Sequence, residues 1–134
     1  MPESESELLM QVARSLRRRW GALLSPWELS PHQARALRVV CDHDGPRLSA
    51  VAEALRIAPR SATEVVDGLE AHGLVKRVPD PVDRRGVCVL PTEEGCRLRE
   101  EIDRARGVDA EEFFGRLSPE DRTALGRILR TLND

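Results

Sequence analysis

Residues 48 to 91 read LSAVAEALRIAPRSATEVVDGLEAHGLVKRVPDPVDRRGVCVLP, two short apolar-striped segments followed by two β-branched runs. Val51, Ala52 and Leu55 recur at helical spacing behind Ser49, whose hydroxyl is expected to cap a short helix. Only Arg56 to Ala58 separate that helix from Pro59, whose fixed φ suits the first position of a second helix with Ala62, Val65, Val66 and Leu69 on one face. Gly73, after His72, ends it. Two helices joined by so short a turn form a helix-turn-helix. The runs Leu74 to Val78 and Val87 to Leu90 are rich in β-branched residues and flank a turn-rich segment, Pro79 to Gly86. They predict a hairpin with a basic tip at Arg84 and Arg85.

Working outward, Leu8, Leu9, Val12, Leu16, Trp20 and Leu23 predict an amphipathic helix from about Ser6 to Leu24. Ser30-Pro31-His32-Gln33 opens another as a capping box with proline at its first position, and Asp44-Gly45-Pro46 stops it. Thr92 followed by Glu93-Glu94 starts a fifth helix, which Gly107 is expected to interrupt. Ser118-Pro119 starts a sixth, with Ala124, Leu125, Ile128, Leu129 and Leu132 in one stripe. The expected fold is mainly α with a small β-hairpin wing. A winged helix-turn-helix lobe over 30–91 is flanked by helical regions at 1–29 and 92–134, within a single domain spanning 1–134.

The net charge of −2 does not by itself indicate a nucleic-acid partner, so its distribution matters. Residues 1–46 carry six Arg against six acids, residues 47–91 seven basic against six acidic, and residues 92–134 eight against eleven. The acid therefore lies mostly outside the winged lobe. All basic residues but Lys76 are Arg, which forks onto phosphate and guanine where Lys is a point charge.

With the apolar positions of the second lobe helix turned inward, Arg60, Ser61, Thr63, Glu64 and Asp67 face outward. A helix in the major groove with a hairpin at the neighbouring minor groove is a physical solution to reading duplex DNA. Arg60 is suited to guanine, Thr63 to a thymine methyl or a phosphate, and Glu64 to a cytosine amino group. Arg84 and Arg85 suit a narrowed minor groove, with Asp83 orienting one guanidinium. Otherwise they form only a solvated turn. Ser49, Ser61, Lys76 and Arg77 complete the expected DNA contacts.

Three segments, LSAVAEALRI (48–57), ATEVVDGLEAHGLVKR (62–77) and DPVDRRGVCVLPTEEG (80–95), resemble the MarR-type regulators. The order of the flanking helices agrees, so the resemblance covers nearly the whole chain. It implies a homodimeric transcription regulator, a repressor, on a pseudo-palindromic double-stranded DNA operator, with Asp83-Arg84-Arg85 in the wing. It also implies pairing through the first, fifth and sixth helices. That agrees with the apolar stripes at Leu9, Val12 and Leu16 and at Leu125, Ile128, Leu129 and Leu132, which the small lobe cannot cover. A small-molecule effector pocket is implied between the pairing helices and the lobe. Trp20, Trp27, His32 and Leu37 are its candidate walls, the tryptophans alternatively being core anchors. Pro91 between Leu90 and Thr92, and Glu64 and Gly68 in place of basic residues, depart from the family pattern. An acidic recognition helix implies strong reliance on the wing arginines.

The three cysteines, Cys41, Cys88 and Cys96, are odd in number and lack CxxC spacing, so they are read as reduced, packed thiols rather than a disulfide framework or zinc ribbon. No metal, cofactor or catalytic residue is nominated: the three histidines are scattered, and there is no Gly-rich phosphate loop or nucleophile motif. No apolar run is long enough for a membrane span and the N-terminus is acidic, which together predict a cytoplasmic protein without a membrane partner. The rival to a DNA reader is a winged-helix module that binds another protein.

Overall fold

The computed structural model describes all residues, 1–134. Helix α1 (Glu5–Leu24) is opened by a capping box: the Ser4 hydroxyl accepts from the Glu7 amide while the Glu7 carboxylate accepts from the Ser4 amide. A 3-10 turn (Ser25–Trp27) and Glu28, in the left-handed region at φ 55, redirect the chain. Helix α2 (Pro31–Asp42) repeats the capping box with Ser30 and Gln33. Asp44 and Gly45, both at positive φ, then turn the chain into α3 (Leu48–Leu55).

Ser49 does not cap α3. Arg47 occupies the cap position, because it is held extended by an isolated antiparallel bridge to Cys88 and the helix starts directly after it. Arg56, left-handed at φ 55, makes the tight turn into α4 (Pro59–Ala71), and Gly73 at φ 73 closes that helix. Strands β1 (Val75–Pro79) and β2 (Val87–Pro91) pair antiparallel, with Val75 opposite Pro91 and Pro79 opposite Val87. The Val89 amide also donates to the Pro46 carbonyl at 2.9 Å, so the α2–α3 loop adds a short third rung to the wing.

Thr92 joins wing to helix. Its hydroxyl donates to the Gly73 carbonyl at 2.7 Å and accepts from the Gly95 amide at 3.0 Å, capping α5 (Glu93–Phe114). Helix α5 runs unbroken through Gly107, where a glycine costs a helix interior only about 1 kcal/mol and side-chain and packing contacts at Ile102 and Asp109 hold both flanks. Ser118 caps α6 (Pro119–Asn133).

The core lies inside the winged lobe. Leu37, Val40, Val51, Val66, Leu69 and Val89 are fully buried there, and Ile102 is the principal side chain that α5 contributes. Helix α1 buries only Leu24, worth about 1.5–3 kcal/mol, supplemented by the Arg19–Asp109 ion pair at 2.8 Å. Helix α6 buries nothing at all. The apolar stripes of α1 and α6 are thus left outside the core that organises the rest.

Candidate nucleic-acid interface

Helix α4 buries Ala62, Val66 and Leu69 completely, and this fixes its roll. Arg60, Ser61, Thr63, Glu64 and Asp67 are consequently exposed together. Thr63 back-bonds to the Pro59 carbonyl at 3.1 Å, leaving its methyl and oxygen lone pairs outward. Ala58 offers no side-chain cap, so the first amides of α4 keep their hydrogen-bonding capacity beside Arg60 and Ser61. Ser49, in the first turn of α3, and Lys76, on β1, are also exposed.

The connecting loop of the wing is braced by two carboxylates, one at its start and one at its apex. Asp80, 9% exposed, pairs with the Arg47 guanidinium at 3.0 Å and accepts from the Val82 amide at 2.9 Å. A Cβ on Gly86 would run into that same Arg47 guanidinium. Arg47, Asp80 and Gly86 thereby lock the hairpin to the α2–α3 loop. At the tip Asp83 accepts from both the amide and the side chain of Arg85, at 3.1 and 3.2 Å, which holds its carboxyl below the usual carboxylate range. Arg84 is exposed and joins neither of these ion pairs. It is the unengaged cation of the wing tip.

Arg77 is placed differently from its expected role at the phosphates. Its guanidinium turns back onto α4, pairing with Asp67 at 2.6 Å and Glu70 at 2.7 Å and donating to the Thr63 carbonyl at 3.3 Å. Nothing in the local sequence signalled this contact or the Arg47–Asp80 pair, since both depend on a strand lying against another element.

A cleft of about 790 Å³ opens between α1, α2 and α5, lined by Arg17, Trp20, Leu24, Pro31, His32, Arg35, Arg38, Arg106, Gly107 and Ala110. Trp20 and His32 line it. Leu37 and Trp27 do not: Leu37 has no exposed surface and Trp27 packs against the same core, because their helical phase and the 3-10 turn direct them inward. The four arginines were missed, although Arg17 with Trp20 and Arg35 with Arg38 stand three apart on their helices and so share a face. The Arg106 guanidinium lies 5.4 Å from the Trp20 ring centroid, and its buried Nε has no hydrogen-bond partner. Burial, followed by repulsion from Arg38, lowers its proton affinity. Asp103, 4.0 Å from Arg38, offsets part of this charge, and four arginines against that one carboxylate still favour an anion.

Leu9, Val12, Leu16, Leu125, Ile128, Leu129 and Leu132 come together in one apolar groove between α1 and α6, with Phe113, Phe114 and Leu117 at its end. Cys88 is buried and Cys41 half-buried, and burial pushes the Cys41 thiol up to about 11, where it is unreactive at neutral pH. Cys96 departs from the expected packing. Its neighbour Gly95 takes the inward position against the Leu74 carbonyl, which turns Cys96 to solvent. No three His, Cys, Asp or Glu side chains cluster as a metal site would need, and no helix is long and apolar enough to cross a membrane.

Residues 27–86, which span the helix-turn-helix and most of the wing, match the MarR family. The transcriptional regulator HosA of Escherichia coli O111:H- is 32% identical over 125 residues, covering 92% of this chain and 90% of that protein. A relative from Thauera aromatica is 33% identical over 96 residues, a match that covers 72% of this chain and 58% of that longer protein. The crystal structure of wild-type MarR from E. coli, in its apo form, superposes with a TM-score of 0.88 at 23% identity, over 98% of each chain. BpsR of Bordetella bronchiseptica, solved in a description of how 6-hydroxynicotinic acid regulates its DNA binding, gives a TM-score of 0.82 at 27% identity, over 98% and 94%. A winged helix-turn-helix with its polar face and wing cation outward, together with full-length similarity to HosA, makes this chain a member of the MarR family of DNA-binding, non-enzymatic transcriptional regulators.

Proposed function

We propose that the protein is a cytoplasmic repressor that binds a pseudo-palindromic operator as a homodimer and leaves it when an organic anion occupies the arginine cleft. The observation that carries the DNA reading is the pairing of an outward polar face on α4 with an unengaged Arg84 at the wing tip. Arg60, Ser61, Thr63 and Glu64 read the major groove; Arg84 and Arg85, the latter oriented by Asp83, hold the minor groove. Ser49 and Lys76 contact phosphate.

The homodimer is supported by the open apolar groove of α1 and α6, which a second copy would cover by the same surface under two-fold symmetry. Such a dimer sets two α4 helices about 34 Å apart, one turn of duplex. Release is supported by the chemistry of the cleft and by the organic acid that regulates BpsR. An anion drawn between Arg35 and Arg38 on α2 and Arg106 on α5 would change how the lobe sits on the pairing helices, and with it the α4 spacing.

Binding of the purified protein to duplex from upstream of its own gene, followed by fluorescence anisotropy against excess unrelated DNA, tests the reading. Competitor-resistant binding with two protomers per site is expected. An absence of specific binding by a protein shown to be dimeric would leave the protein-binding module as the better account. Aromatic carboxylates added to the bound complex test release. Quenching of Trp fluorescence that is lost in Trp20→Phe should accompany dissociation, and ligands that move neither signal would remove the effector from the account.

A further inference from the structure

The recognition helix has the wrong charge for its task. Helix α4 carries Arg60 against Glu64, Asp67 and Glu70, a balance that phosphates repel. Arg77 alters it from outside the helix. Its contacts with Thr63, Asp67 and Glu70 fall at spacings of four and three residues, along one face of α4. Its amide also donates to Glu70 at 3.2 Å, so backbone and side chain of one strand residue grip the same carboxylate. The Arg77 side chain is only 24% exposed.

Resting on the operator reading above, we propose that Arg77 is a positioning residue for DNA recognition: it screens Asp67 and Glu70 from the phosphates and fixes α4 to the wing strand. Glu64 then remains the one carboxylate of the recognition helix without an ion pair, facing outward as a contact to a cytosine amino group requires. Ion pairs as exposed as these contribute little to folding. Their effect is felt where DNA approaches, and their cost if unscreened would be felt there too.

A double-mutant cycle in operator affinity separates screening from direct contact. Two uncovered carboxylates in each half-site should lower the affinity of Arg77→Gln by at least about tenfold in dilute salt. In the Asp67→Asn, Glu70→Gln background, the same Arg77→Gln change should cost about threefold or less, since there is no longer a charge to screen. The native-background loss should also shrink as salt rises, which a purely structural brace would not show. Arg77→Lys, which keeps the charge but not the fork, should retain more affinity than Arg77→Gln and stands in for it if the Gln variant fails to fold. Equal losses in the two backgrounds, with the wild type binding normally, would identify Arg77 as a phosphate contact and overturn the inference alone. A salt-independent loss would overturn screening. A wild-type protein that binds no duplex would overturn the operator reading and the inference with it.

Discussion

Replacing Arg84 by alanine isolates the wing's contribution to binding, because Arg84 is exposed and outside both ion pairs that brace the hairpin. The fold should not register the change, with unfolding free energy within about 0.5 kcal/mol of wild type. DNA binding should. Each cation that neutralises a phosphate contributes about 0.9 to the slope of log affinity against log salt, so two wings per dimer should flatten that slope by about 1.8. Between 50 and 200 mM salt the wild type should therefore lose about twelvefold more affinity than the variant. Anisotropy titrations at four or five salt concentrations measure both slopes. Arg85→Ala should weaken binding further at fixed salt, since it also leaves Asp83 with only the backbone amide as partner. An unchanged slope in Arg84→Ala would refute wing anchoring, however much the affinity itself fell.

Leu37→Ala should lower stability by about 2–5 kcal/mol, read by urea unfolding at one fixed protomer concentration, because Leu37 is core rather than cleft; an undiminished midpoint would return it to the cleft. Gly86→Ala forces the Arg47 guanidinium aside and should displace the wing, weakening operator binding with far-UV circular dichroism unchanged, and adding Arg47→Ala should restore part of the loss. Ile128→Glu in the α1–α6 groove should give monomers in sedimentation velocity and abolish specific binding; dimers of the variant would place the interface elsewhere. Arg99 holds the Asp42 carboxyl below its usual range, chiefly by a hydrogen bond at 2.7 Å between α5 and the end of α2. A depressed folded value means that this tether is fully present above the ordinary carboxylate pKa of about 4 and is lost as pH falls through the lower, folded one. Asp42→Asn should remove that part of the acid dependence of thermal unfolding.

The parts of the fold that sequence conveys are those set within one turn of chain. Ser30, Thr92 and Ser118 cap as their neighbours suggest, and Pro59 and Gly73 bound α4, because each is decided by residues two to four positions away. Ser49 misled for the opposite reason: Arg47 is fixed by Cys88, forty-one residues on, and that bridge sets where α3 begins. Periodicity identified the inward face of α4 and hence its outward residues. It left open whether Leu37 and Trp27 border a core or a cleft, since both are apolar surroundings. The arginines of the cleft and the partners of Arg77 and Asp80 come from four helices and the α2–α3 loop, and only the packed structure brings them together.

Hydroxyl-radical footprinting of the highest-affinity site tests two-fold, wing-anchored binding to DNA, because it reports groove, spacing and symmetry in one experiment. Two protected half-sites centred about 10–10.5 base pairs apart are predicted, with flanking minor-groove protection that disappears in Arg84→Ala. Protection of a single half-site, or a pattern that Arg84→Ala leaves intact, would contradict it.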